Sequence, residues 1–190
     1  MTPGTVCWTT FMGYVSLCLS KCVGPTGRVF AFEPVPANIG LLRKNIELNQ
    51  LKNIRVFEVA ASNSRGEATV RIAGNLSTAS LIWHANDQSA AEITVKTEPI
   101  DEIVEKSGLP LPSFVKIDVE GAEGLVLTGM RRTITKARPV IFVECSQAGR
   151  ETSWAMLRSL DYQCQSAITR SSIADFEQYR HSDFLWLPDK

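Results

Sequence analysis

The chain has 190 residues, 44% hydrophobic and 21% charged, which suits one globular domain large enough to bury a three-layer core. Twenty basic residues balance twenty acidic ones. That neutrality, with no basic block of five or more residues, argues against a nucleic-acid partner and for a small, local substrate.

Residues 1–20 carry no charged side chain. A secretory signal needs basic residues ahead of its apolar stretch, whereas Lys21 follows it. Interspersed Thr and Ser dilute the segment below a membrane span, so it reads as a buried strand plus helix and no membrane partner is expected. Residues 28–33, Arg-Val-Phe-Ala-Phe-Glu, carry an apolar run that ends in Glu33, the mark of a strand buried on both faces. Pro34 and Pro36 end that strand. Ile39, Leu42 and Ile46 then recur on one face of a helix reaching about Asn49.

A strand is predicted over 54–60 and a turn over 61–66. Alternation at Ala68, Val70 and Ile72, resumed at Ile93 and Val95, predicts a peripheral hairpin around a polar loop at 74–91. A short helix at 101–106 is stopped by Gly108 and Pro110. Further strands are expected at 114–119, 140–144, 162–168 and 183–187. Helices should follow Gly121 and span about 151–160. Alternating strands and helices predict a single doubly wound α/β domain with a mostly parallel sheet.

Five cysteines, Cys7, Cys18, Cys22, Cys145 and Cys164, include no CxxC pair. Cys18 and Cys22 have helical i,i+4 spacing, but two thiols alone make a poor zinc site, so no metal is expected. Free thiols suit a reducing cytoplasm. His84 and His181 lack the context of a catalytic triad and read as surface residues. Trp83 is either a packing residue or a pocket wall.

In an open parallel sheet, ligands bind beyond the carboxyl ends of the strands. Glu33, Asp118 and Glu144 each close a strand and so share one rim. Glu33 is either a ribose acceptor or a solvated strand-end acid. Lys116 and Asp118 point to one face of their strand, as an ion pair or as pocket residues. Glu120, beside the flexible Gly121, is placed to contact substrate or act as a base; Glu144 either bonds substrate or caps backbone.

Residues 27–38, Gly-Arg-Val-Phe-Ala-Phe-Glu-Pro-Val-Pro-Ala-Asn, resemble the FkbM-type methyltransferase family. So do residues 41–49 and the stretch Val-Lys-Ile-Asp-Val-Glu-Gly-Ala-Glu at 115–123, with Arg138, Pro139 and Glu144 fitting the next strand. The resemblance implies a seven-stranded Rossmann-like methyltransferase fold, S-adenosylmethionine as cofactor, and O-methylation of a small-molecule or sugar hydroxyl. It implies that Glu33, followed by Pro34, holds the cofactor ribose. Ala60, Ala61 and Ser62 would lie near the adenine, Asp118 beside the methionine end, and Gly13 in the cofactor loop. Lys116, Glu120 and Glu144 are the expected catalytic group.

The family's first strand ends in an Asp-x-Gly-Ala-Asn-x-Gly loop. Counting back from Gly13 puts Cys7 at the Asp, Thr9 and Thr10 at the Gly-Ala and Phe11 at the Asn. Threonine does not take glycine's positive φ cheaply, and Phe11 offers no hydrogen bond. A misassigned start that replaces residues 1–12 is one expectation, and weak cofactor binding is the other. A fold retained as a binding or scaffold subunit is the competing function. A nicotinamide dehydrogenase is disfavoured because no GxGxxG follows a strand. Oligomeric state stays open.

Overall fold

The computed structural model of the chain describes residues 4–10, 13–72, 79–80, 91–145 and 147–189. The uncharged opening forms β1 (Val6–Thr10) and α1 (Gly13–Val23). β2 (Arg28–Phe32) leads to α2 (Pro36–Leu48), whose first residue is the expected proline. The strand predicted over 54–60 divides into β3 (Ile54–Phe57) and a two-residue β4 (Ala60–Ala61) that leaves for a second sheet. The hairpin is built from β5 (Gly66–Ile72), β6 (Ala79–Ser80) and β7 (Ala91–Glu98). Its register pairs Ala68 with Val95 and Val70 with Ile93, as the alternation predicts. Phe11, Trp83 and His84 lie outside the described residues.

α3 (Ile100–Ser107) is closed by Gly108 in the left-handed region at φ 59°, and β8 (Phe114–Asp118) follows. Beyond Gly121 stand two helices rather than one, α4 (Glu123–Gly129) and α5 (Arg131–Ala137). The break has a cause in another element. Asp101 of α3 accepts the N–H groups of Arg132 at 2.9 Å and Thr133 at 2.8 Å, which gives α5 its own N-terminal acceptor. β9 (Val140–Glu144), α6 (Gln147–Ser159), β10 (Tyr162–Ser166), a 3-10 turn (Phe176–Gln178) and β11 (Asp183–Pro188) complete the chain.

The main sheet has seven strands in the order β10-β11-β9-β8-β1-β2-β3. β9, β8, β1, β2 and β3 run parallel, and β11 is antiparallel to both β9 and β10. Chain order reverses between β8 and β1, which is the switch point where such sheets bind ligands. The larger core lies on one face, where Trp8, Phe32, Ile117, Ile141 and Trp186 pack with Val126, Met130 and Leu157. On the other face α1 covers Cys7 and Val29 with Leu19 and Val23. Among the described residues no helix is long and apolar enough to cross a membrane.

Gly129 seats α4 on the segment after β4: an added Cβ would stand 1.8 Å from the Ser62 carbonyl oxygen. Backbone there cannot yield as a flexible side chain would. Gly129→Ala should destabilise the fold by about 2–3 kcal/mol, read as a lowered urea midpoint at unchanged slope.

Candidate active site

The three acids predicted to share a rim do so. Asp118 and Glu144 close β8 and β9 in direct register, and Glu33 follows β2 with its N–H donating to the Phe57 carbonyl at 3.0 Å. Two strand spacings, about 10 Å, separate the Asp118 and Glu33 positions. Between them β1 ends at Thr10, opposite Ile117.

On the β2 side, Glu33 is 4% exposed. Its Oε1 accepts the Val35 N–H at 2.9 Å, across the turn made by Pro34, and the Asn38 side chain also donates to it. Burial pushes the Glu33 carboxyl above its ordinary range, and these two donors oppose the shift. A carboxylate has about four acceptor positions, so further hydroxyl donors can be accommodated. On the elements that adjoin the β2 end, three polar atoms are buried without a protein partner among the described residues: Thr9 Oγ1 of β1, Ser16 Oγ of α1 and Asn38 Oδ1 of α2. Buried polar atoms are ordinarily satisfied, so each asks for a polar neighbour such as water or ligand.

On the β8–β9 side, Lys116 Nζ lies 2.5 Å from Asp118 Oδ2 and 4.0 Å from Glu144 Oε2, and 5.6 Å from the Phe142 ring centroid. Lys116 and Asp118 thus form an ion pair, one of the two arrangements that their shared face allows. Asp183 of β11 stands opposite Glu144, so Asp118, Glu144 and Asp183 lie side by side on three adjacent strands, the first two within reach of Lys116. Burial first, then the Asp118 carboxylate, push the Glu144 carboxyl up to about 7; Asp183 adds to this and Lys116 opposes it. Just past β8, Glu120 is exposed and sits in the left-handed region at φ 47°, followed by Gly121 at φ 102°. Burial, Asp118 and Glu123 all raise its carboxyl pKa.

The remaining residues expected at the cofactor site lie in packed elements. Gly13 opens α1, and an added Cβ would meet Leu42 Cδ1 at 2.8 Å, so its smallness serves the packing of α1 on α2. Ala60 packs in the small cluster of Val35, Val70 and Val95, whereas Ala61 belongs to the main core. Ser62 is buried, its N–H donating to the Glu98 carbonyl at 3.2 Å. Residues 7–10 do not form a loop. β1 runs on through Thr9 and Thr10, β-branched residues suited to an extended ladder. Cys7 is fully buried opposite Val29 and Phe114, about 10 Å below the β1 end. It therefore does not occupy a rim position, and burial pushes its thiol up to about 12.

The sequence places Thr9 only as a replacement for a loop glycine, and it assigns no site role to Ser16, Asn38 or Asp183. A usable signal existed for the first two, which are polar residues inside otherwise apolar, buried elements. Asn38 and Asp183 needed the tertiary register.

A seven-stranded doubly wound sheet with an antiparallel β11 and a switch point between β8 and β1 is a Rossmann-like fold. Residues 8–179 match the methyltransferase FkbM domain, and the chain belongs to that family. It is similar to the 2-O-methyltransferase NoeI of Sinorhizobium fredii, 29% identical over 136 residues covering 64% of this chain and 55% of that protein. It is also similar to the hexuronic acid methyltransferase AglP of Haloferax volcanii, 32% identical over 131 residues covering 67% and 49%. The chain thus spans about half the length of the curated relatives it matches. Among solved structures, a methyltransferase FkbM from Methylobacillus flagellatus superposes with a TM-score of 0.59 at 21% identity, over 98% of this chain and 44% of that one. Aeropyrum pernix fibrillarin, solved with bound S-adenosyl-L-methionine, gives 0.56 at 10% identity, over 98% and 67%. These likenesses establish the fold.

Proposed function

We propose that the chain is a single-domain, S-adenosylmethionine-dependent methyltransferase that methylates a hydroxyl of a sugar or similar small molecule. The observation that carries this is the division of the rim. A buried acid with unsatisfied polar neighbours stands on the β2 side, and a lysine–carboxylate group stands on the β8–β9 side. The first set suits the polyhydroxyl part of the cofactor, with Glu33 accepting from ribose hydroxyls and Thr9, Ser16 and Asn38 offering polar contacts. Asp118 stands beside the methionine end in this reading. The names of the relatives, a 2-O-methyltransferase and a hexuronic acid methyltransferase, agree with an oxygen acceptor on a carbohydrate.

When bound, the cofactor supplies a methyl group on a positively charged sulfur. The chain's own residues do the rest. Lys116, fixed by Asp118, offsets the charge of the surrounding acids. Glu144, with its carboxyl at about 7, is poised to take the proton of the acceptor hydroxyl near neutral pH. Glu120, on its turn, is placed to accept a hydrogen bond from the acceptor. A formal net charge of zero favours a small acceptor over a nucleic acid, and five free cysteines favour the cytoplasm.

One observation favours the scaffold reading: β1 continues through Thr9 and Thr10, so no glycine-rich turn approaches the ligand there. We expect affinity for S-adenosylmethionine to be weak, with Kd near 10⁻⁴ M, or roughly −5.5 kcal/mol. Transfer of radiolabelled methyl to neutral sugars and hexuronic acids tests the activity. An alkali-stable ether product is expected. An alkali-labile ester would move the acceptor from hydroxyl to carboxyl, and bound cofactor without transfer to any acceptor would favour the scaffold.

A further inference from the structure

The turn that carries Glu120 is held from below by a fully buried acid. Glu123 opens α4 with no solvent exposure, and its Oε1 accepts the Gly121 N–H at 2.9 Å. On its other side α6 approaches so closely that a Cβ added to Gly149 would stand 1.8 Å from Glu123 Oε2 and 2.8 Å from Cδ. Gly124 makes a similar approach to Thr152, whose Cγ2 would lie 2.7 Å from an added Cβ. Glycines on both helices thus bring α4 and α6 together around the carboxylate. The Glu123 charge also acts on the Cys145 thiol, which directly follows Glu144.

A buried carboxylate is costly unless it is well bonded, and a hydrophobic residue would fill the same volume without that cost. The geometry above it gives a reason for its presence. Glu120 at φ 47° and Gly121 at φ 102° are successive residues in the left-handed region. A non-glycine residue persists there only where its surroundings over-determine it. The hydrogen bond from Gly121 to Glu123 does so directly, because it fixes the peptide that follows Glu120.

We propose that Glu123 is a positioning residue: it locks the Glu120–Gly121 turn and so sets where the Glu120 carboxylate stands over the rim. Its consequence for activity rests on the methyl-transfer reading above, whereas the lock itself does not.

The test uses the full chain with Glu123→Gln and Glu123→Ala. The Gln variant keeps a carbonyl acceptor of the same size. We expect it to keep Gly121 amide protection in hydrogen exchange and kcat within about 3-fold of the parent. The Ala variant should lose at least about 10-fold in both, with the S-adenosylmethionine Kd within about 3-fold. An Ala variant with parental Gly121 protection and kcat overturns the proposal, as does a Gln variant as impaired as the Ala one. If Glu123→Ala does not fold, Gly121→Ala, which strains the turn and leaves the acid in place, decides by the same kcat criterion. If the parent chain transfers no methyl group, the functional reading fails, and Gly121 exchange in the Gln and Ala variants still reads the lock.

Discussion

Glu33→Ala should weaken S-adenosylmethionine binding at least about 100-fold, which for a weak parent means no measurable heat in calorimetry. The side chain is buried at the carboxyl end of β2, where burial raises its pKa and, among the described residues, Val35 and Asn38 donate to it. Hydrogen bonds from ribose hydroxyls to a charged acceptor contribute about 1.5–3 kcal/mol each, and two of them account for a 100-fold loss. The deletion also leaves the Asn38 side chain without its carboxylate. Glu33→Gln separates these effects. It retains one acceptor oxygen and should bind between the parent and the Ala variant; equal affinity in all three proteins would remove Glu33 from the cofactor site.

Glu144→Gln should lower kcat by about 10²–10⁴ while leaving cofactor Kd within about 3-fold, the range for a lost general base. With the parent carboxyl at about 7, kcat/KM should rise as pH increases through 7 and then level, and the variant should lack that limb. Stability carries the same signature with a definite sign. The folded-state pKa lies above the ordinary carboxyl value of 4.5, so the fold favours the protonated form. That contribution is present in full below 4.5 and is lost as pH rises through 7. Glu144 is 43% exposed, so solvent screening keeps the effect small. The Gln variant should therefore lose less stability than the parent between pH 4.5 and 8 in urea melts. A parent kcat/KM that is flat through neutrality would take the base role from Glu144.

Much of the fold was legible because buried parallel strands are written as apolar runs. Residues 28–32, 114–118 and 140–144 announce themselves, and an acid at or just after each places the rim. The hairpin was legible from alternation alone. What sequence could not supply depended on contacts distant along the chain. The division of one predicted helix at Met130 follows from Asp101, some thirty residues earlier, capping α5. The departure of Ala60 and Ala61 into a second sheet follows from pairing with Thr97 and Glu98. At the site, the Lys116–Asp118 pair was readable from their two-residue spacing. The opposition of Asp183 to Glu144 was not, because it is set by the antiparallel register of the last strand. The count back from Gly13 puts a cofactor loop at Cys7 onward, and there the structure shows Thr9 and Thr10 extending the strand.

Those threonines make cofactor binding the central question for this chain, and calorimetric titration of the unaltered protein with S-adenosylmethionine answers it most directly. A single-site isotherm with Kd near 10⁻⁴ M is predicted, the affinity of an acid-held ribose without a glycine-rich loop. Absence of heat with about 10⁻⁴ M protein and millimolar ligand would contradict the account and leave the fold as a scaffold.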